Sequence, residues 1–389
     1  MTAHFTFATW DGAGNQPPTI GIGQELMSRG HDVRFLGYAV QRKQFEDRGL
    51  AFDSFARTGG VDFQGAKDEE RFSVLFGEVF TNRDHLDDLA KALTEHPADL
   101  LVVDCLLFGV QAAAEKLGIR TALLVHSAPG AIAARPEPAA SLLMAAINRL
   151  RIALGLPTLK TVVDAWATFP AVVTTIRELD AIAALVPARF EYVGPVMEHA
   201  KTPVWEAPSG WDESLPLVLV SFTTSSAWNQ ISRIQNTLDG LAGQRYQVLV
   251  TNAQSELFSV PANATIRGYI PHAAVLPSTA VTVTHAGHGT VCASLAHGVP
   301  MVTQPNPAAD QPALAARVEE LGAGRNLGGE ASASEIRTAV DLVLERPTYR
   351  QAARGLAAAI KSSSGAAGAA DWLEVLAKSH RPLRSEGAR

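Results

Sequence analysis

The stretch "VTVTHAGHGTVCASLAHGVPMVTQPNPAADQPALAARVEELGAGRNL", residues 281–327, carries two apolar runs of strand length, each leading through a loop into a helical period. The first run ends at His285. Gly287 and Gly289 then let the backbone turn tightly and approach a ligand, and Thr290 is expected to open the helix. Amides at a helix N-terminus, a hydroxyl and an imidazole together suit a diphosphate. The second run delivers "QPNPAADQ", which places Asp310 and Gln311 at the start of another helix on the same sheet edge. A carboxylate beside an amide grips sugar hydroxyls, since one accepts and the other both donates and accepts. Taken singly, a histidine before a glycine turn is usually structural, and Asp-Gln at a helix start is usually an N-cap. Three such features on consecutive strand ends favour a ligand site.

Outward from that span, apolar runs alternate with helical periods along the whole chain, the pattern of a parallel sheet wrapped by helices. In the first half the strands are expected at 4–10, 32–38, 50–56, 100–105, 121–127 and 171–176. The first helix is bounded by Pro18 in its opening turn and Gly30 as a left-handed cap. Residues 60–95 and 130–168 carry helical segments with no strand between them and are read as excursions that shape a substrate pocket. The period breaks in a Pro-, Gly- and Trp-rich linker and restarts with strands expected at 216–222, 246–252, 264–270, 280–286 and 300–305. The implied organisation is an α/β chain of two similar halves: domain 1–198, linker 199–214, domain 215–368, and a segment 369–389. That segment comprises a helix after the small-residue hinge "SSSGAAGAA", packing back on the first domain, and a disordered tail. Two parallel sheets then face each other across a cleft, and open α/β sheets bind ligands at the carboxyl ends of their strands.

Composition agrees with two soluble domains. The chain has 389 residues, 47% of them hydrophobic and 19% charged. A net charge of −6 with no basic block argues against a nucleic-acid partner. No apolar run is long enough to span a bilayer and no signal core is present, so a cytoplasmic protein is expected. Cys105 and Cys292 lie far apart in apolar segments and read as two buried free thiols.

The span 281–327 resembles the donor-binding signature of family 1 glycosyltransferases of the GT-B fold, the group that includes antibiotic and plant secondary-metabolite enzymes. The shared pattern is His-x-Gly-x-Gly-Thr, Gly-Val-Pro, Asp-Gln, then an Ala-x-Arg-Val helix. The resemblance implies two facing Rossmann-like domains, the first for the acceptor and the second for a nucleotide-sugar donor. It implies that His285, Gly287, Gly289 and Thr290 hold the diphosphate, and that Asp310 and Gln311 hold the sugar. "GYIPH" (268–272) is similar to the family's Trp-Val-Pro-Gln element, making Tyr269 the ring stacked on the base and the Ile270 backbone the reader of its edge. "VSFTTSS" (220–226) resembles the loop beside the donor phosphates and adds Ser221, Thr223 and Thr224. Where the family often places a ribose-binding glutamate, this chain has Ala293 followed by Ser294, so uridine and deoxythymidine donors both stay open.

In the first domain the resemblance sets Asn15 on the histidine that many members use as catalytic base, and Asp104 on the carboxylate that orients it. An amide cannot take up a proton at neutral pH, so that dyad cannot operate. Asp11, Asp104 and His126 follow the first, fourth and fifth strands, which are neighbours in a sheet ordered 3-2-1-4-5, and each is a candidate base, with Asn15 orienting the base or the acceptor. His126 has the most suitable intrinsic pKa. Each also has a structural reading, Asp11 as an Asx-turn cap, Asp104 as a buried carboxylate bonded to Asn15, and His126 as pocket lining. The expected function is metal-independent, inverting transfer of a sugar from a UDP- or dTDP-sugar to a small hydrophobic acceptor of polyketide or aromatic type, with no cofactor. A homodimer is left open. The alternatives are a nucleotide-sugar epimerase and a donor-binding protein that has lost catalysis.

Overall fold

A computed structural model describes all residues except 1, 63–70, 72, 136, 197–204, 209–210, 213, 223–229, 252–253, 308–309 and 380–389. The linker 199–214 therefore lies largely outside the described residues, and the tail expected to be disordered lies wholly outside them.

Two parallel sheets organise the chain. The first contains β1 (His4–Ala8), β2 (Asp32–Gly37), β3 (Ala51–Ser54), β4 (Leu100–Asp104), β5 (Thr121–Val125), β6 (Ala171–Val173) and β7 (Phe190–Tyr192). Its order is β3-β2-β1-β4-β5-β6-β7, as the 3-2-1-4-5 expectation requires. The second contains β8 (Leu217–Ser221), β9 (Gln247–Thr251), β10 (Ala264–Arg267), β11 (Thr279–Thr284), β12 (Met301–Thr303) and β13 (Gly324–Asn326), ordered β10-β9-β8-β11-β12-β13. Among the described residues every strand pairing is parallel, with register such as Ala8 opposite Val103 and Thr284 opposite Ser221.

The central strands β4, β5 and β8 are almost wholly apolar and fully buried because both faces of each sheet are covered. In β4 all five residues are buried, and they divide by the pleat. Leu101 and Val103 join Trp10, Tyr38, Phe80 and Trp166 on one face, while Leu100 and Val102 join Phe5, Phe7 and Phe35 on the other. Several strands are shorter than expected. The run at 171–176 is a strand only to Val173, and that at 264–270 only to Arg267, so Tyr269 and Ile270 lie beyond the sheet. β7 and β13, three residues each, had no expectation.

The last helix, Gly365–Lys378, buries Ala369, Ala370, Leu373 and Ala377 in the core of the first sheet. Arg29, at the end of helix Gln16–Ser28, ties it there through Asp371 (2.6 Å), Glu374 (3.1 Å) and the Ala367 carbonyl (3.0 Å). The stretch expected to be a hinge is mostly helix, because its alanines are good helix formers and the sheet covers their face. Cys105 and Cys292 are both buried and free.

The halves meet at the carboxyl ends of their sheets. Ile176 and Leu179 of the first half pack with Val291, Cys292 and Leu295 of the second, and Ala128 and Ala131 pack on Leu314. Arg317 Nε donates to the Glu178 carbonyl at 2.8 Å.

Candidate active site

Each sheet reverses its strand order once, between β1 and β4 and between β8 and β11, and crevices form at such points. Several of the described residues singled out in the sequence follow the strands that border these two crevices.

At the first, β1 runs into Trp10–Asn15 and helix Gln16–Ser28, with Pro17 and Pro18 in the opening turn where no amide donor is needed. Asp104 ends β4, is 1% exposed and receives four hydrogen bonds. Trp10 Nε1 (3.1 Å) and the Leu106 amide (2.9 Å) donate to Oδ1. Asn15 Nδ2 donates to Oδ2 at 3.0 Å, and His126 Nδ1, just past β5, lies 2.9 Å from the same oxygen. Burial pushes the carboxyl up, but the His126 charge and these donors hold its pKa below the ordinary 3.8. Burial likewise disfavours charge on His126, yet the Asp104 carboxylate, with Cys105 Sγ at 3.6 Å from Nδ1, raises its pKa well above 6.5. With Nδ1 committed to Asp104, Nε2 is the ring atom left to exchange a proton.

Asn15 is equally buried and fully engaged. Besides Asp104 it donates to the Trp10 carbonyl (3.0 Å), and its Oδ1 accepts from the Gly12 amide (3.1 Å). It therefore holds the loop in shape and helps seat Asp104. Asp11 sits apart from the dyad: its Oδ1 accepts from Gln16 Nε2 at 2.7 Å, and burial, with the Asp62 charge, raises its pKa. The role of Trp10 was missed in the sequence, although an indole at a strand end beside a glycine loop was a visible signal.

At the second crevice, Gly287 is the N-cap of helix His288–Ala296, so the helix opens two residues before the expected Thr290, which lies in its first turn. The left-handed residue is Ala286, with φ of 63°, whereas Gly287 is extended. Gly287 is small for another reason: a Cβ there would stand 2.6 Å from His285 Nε2. Gly289 has open space around it. His285 is 8% exposed, and burial pulls its pKa to about 4, so the ring is neutral near pH 7. Ser221, opposite Thr284 in register, has Oγ 3.0 Å from His272 Nε2. Thr223 and Thr224 lie outside the described residues. Ile270 packs in the small cluster around Leu249 and Val275, while Tyr269 is 83% exposed.

Asp310 precedes helix Gln311–Glu320 but makes no capping bond with its side chain. Its Oδ2 instead accepts from Ser127 Oγ of the other half at 2.6 Å. Gln311 Oε1 accepts from the Asn306 amide at 3.0 Å, which leaves its NH2 as the group free for a ligand. Thus His126–Ser127 of one half and Asp310 of the other are joined across the cleft. The sequence reading missed His288, the first residue of helix His288–Ala296, whose Nε2 is 3.2 Å from Cys292 Sγ; burial lowers its pKa to about 4. Among the described residues, the one His/Cys/Asp/Glu group close enough to share a cation is Asp104, Cys105 and His126.

The known proteins with this sequence pattern and architecture are sugar transferases. Residues 235–376 match the family model "Erythromycin biosynthesis protein CIII-like, C-terminal domain". The chain is 28% identical to 4'-demethylrebeccamycin synthase of Lentzea aerocolonigenes, over 97% of this chain and 100% of that protein. It is 27% identical to demethyllactenocin mycarosyltransferase of Streptomyces fradiae, over 96% and 86% respectively. The crystal structure of glycosyltransferase VinC in complex with DTDP superposes with a TM-score of 0.73 at 16% identity, covering 96% of this chain and 99% of that one. Two facing parallel-sheet domains of this kind define the GT-B fold, and the chain is a glycosyltransferase. Its sequence and fold are similar to those of natural-product glycosyltransferases of antibiotic biosynthesis.

Proposed function

We propose that this chain is a metal-independent, inverting glycosyltransferase that moves a sugar from a UDP- or dTDP-sugar to a small hydrophobic acceptor, with His126 as its base. The observation that carries the reading is the 2.9 Å contact between His126 Nδ1 and Asp104 Oδ2 at the cleft. Asn15 vacates the family's usual base position, and a histidine one strand over takes up the same carboxylate. That pairing removes the motive for reading the chain as a donor-binding protein without catalysis.

His126 Nε2 takes the proton from the acceptor hydroxyl while that oxygen's lone pair attacks the anomeric carbon of the donor sugar. The bond from that carbon to the diphosphate breaks, and its electron pair leaves with the nucleotide. Inversion follows because attack and departure are on opposite faces. The leaving charge is met by the outward-pointing amides of helix His288–Ala296 and by neutral His285 acting as a hydrogen-bond donor, the part a cation plays elsewhere. Asp310 and the Gln311 NH2 hold the sugar hydroxyls, and exposed Tyr269 is the platform for the base. DTDP bound to VinC supports a nucleotide donor. The bonds of Asn15 support a positioning role.

The test is turnover of UDP- and dTDP-sugars with phenolic and macrolide acceptors by the native enzyme and His126→Ala. The variant is expected to lose ~10²–10⁴ in kcat/KM while keeping nucleotide affinity, since a positioned base is worth that much. Near-native turnover by the variant refutes the base assignment, and a donor epimerised without an acceptor refutes the transferase reading.

A further inference from the structure

Two arginines of the acceptor half with buried guanidinium atoms are treated differently. Arg151 is paired bidentately with Glu115, at 2.7 and 3.2 Å, and its Nε reaches a backbone carbonyl. Arg135 has nothing comparable. It follows helix Pro129–Ala133, which leaves the same β5 loop that carries His126 and Ser127. Its Nε is buried without a hydrogen-bond partner, and no carboxylate lies within ion-pair distance among the described residues. Burial depresses its pKa, opposed by the Asp310 charge, which is itself engaged by Ser127.

Its surroundings place it on the acceptor side of the dyad. The guanidinium carbon lies 5.9 Å from the centroid of Phe76. Phe76 stacks on Phe80 at 6.0 Å, Phe80 meets Trp10 edge-on at 5.0 Å, and Trp10 bonds to Asp104. A row of packed, buried rings thus links the guanidinium to the carboxylate behind the base. A guanidinium whose Nε is buried and which has no counter-charge among the described residues is suited to an anion, and its planar fork matches a carboxylate bidentately.

We propose that Arg135 is the counter-ion for a carboxylate on the acceptor, making the preferred acceptor an aryl acid whose ring lies beside Phe76. The proposal deepens the transferase reading and rests on it. It separates this chain's acceptor from a purely apolar aglycone: one end of the molecule presents a hydroxyl to His126, the other a carboxylate to Arg135.

The probes are 3-(4-hydroxyphenyl)propionate and its methyl ester, compared for binding by calorimetry to the dTDP-loaded protein and for turnover with a dTDP-sugar. The native enzyme is expected to favour the acid. Arg135→Met is expected to raise KM for the acid ~10–100-fold, the span of a hydrogen-bonded charged contact, with the ester nearly unaffected and dTDP affinity unchanged. Arg135→Lys keeps part of the preference. If the native protein does not discriminate acid from ester, or if the Met variant changes both alike, the proposal falls and the base assignment stands. If His126→Ala keeps turnover while the Met variant loses its preference for the acid, the base assignment falls and this one stands.

Discussion

Asp104→Asn keeps the shape of the side chain and removes its charge, and the four surrounding donors determine the result. An amide offers one accepting oxygen, so its NH2 must face either Trp10 Nε1 and the Leu106 amide, or Asn15 Nδ2 and His126 Nδ1. In the first orientation two N–H groups that cannot rearrange lose their acceptor, at about 1–3 kcal/mol each. In the second, the imidazole can shift its proton to Nε2 and accept at Nδ1, and Asn15 keeps its bond to the Trp10 carbonyl. The second is favoured by roughly one buried donor, again about 1–3 kcal/mol. It places a proton on the very atom that must receive one. The expected loss in kcat/KM is ~10²–10⁴, equivalent to about 3–5 kcal/mol of barrier.

The pH dependence changes with it. In the native enzyme the neutral form of His126 is populated only as pH rises through a value well above 6.5, so activity falls on the acid side of that value. Removing the carboxylate leaves burial dominant, and the imidazole pKa falls. Folding stability follows the linkage. The raised His126 pKa contributes stability below pH 6.5 that is lost as pH rises through the folded value. The lowered Asp104 pKa contributes stability above 3.8 that is lost as pH falls through its folded value. The assay is a pH–rate profile of both proteins with imidazole NMR of His126. A kcat/KM within about threefold of native, less than ~1 kcal/mol of barrier, with an unmoved acid limb refutes the dyad.

Gly287→Ala drives a Cβ to 2.6 Å from His285 Nε2, and that ring is buried beside Phe222 (centroids 6.5 Å apart) and must tilt. Nucleotide affinity by calorimetry should weaken about tenfold with a stability loss of ~1–3 kcal/mol; unchanged affinity argues against a diphosphate at this turn. Leu373→Ala opens a cavity between the last helix and the first sheet, and denaturant unfolding should show a loss of ~2–5 kcal/mol. A loss below ~1 kcal/mol would mean that this helix is not part of that core.

Most of the strands were legible because buried parallel strands must be apolar on both faces, and runs such as Leu100–Val103 and Leu217–Val220 have no other use. The 3-2-1-4-5 order of the first sheet followed from reading it as doubly wound, and the order of the second carried no expectation. β7 and β13 escaped because three residues, Phe190–Tyr192 or Gly324–Asn326, carry no readable period. The glycine turn was visible while its geometry was not: φ depends on the whole loop, and here the positive value fell on Ala286.

The candidate site divides along the same line. The chain by itself determined which residue types stand at the strand ends, since strand length and loop position set those: Asp104, His126, His285 and Asp310. Which of them touch was decided only in three dimensions. His126 and Asp104 are separated by a helix in the chain yet sit on adjacent strands, and a choice of side-chain rotamer brings Nδ1 to the carboxylate. Ser127 meets Asp310 because the two sheets face each other, a relation no local period encodes. Arg135 was invisible for the same reason: an arginine after a short helix is ordinary in sequence, and its significance comes from an Nε that the fold buries without a hydrogen-bond partner among the described residues.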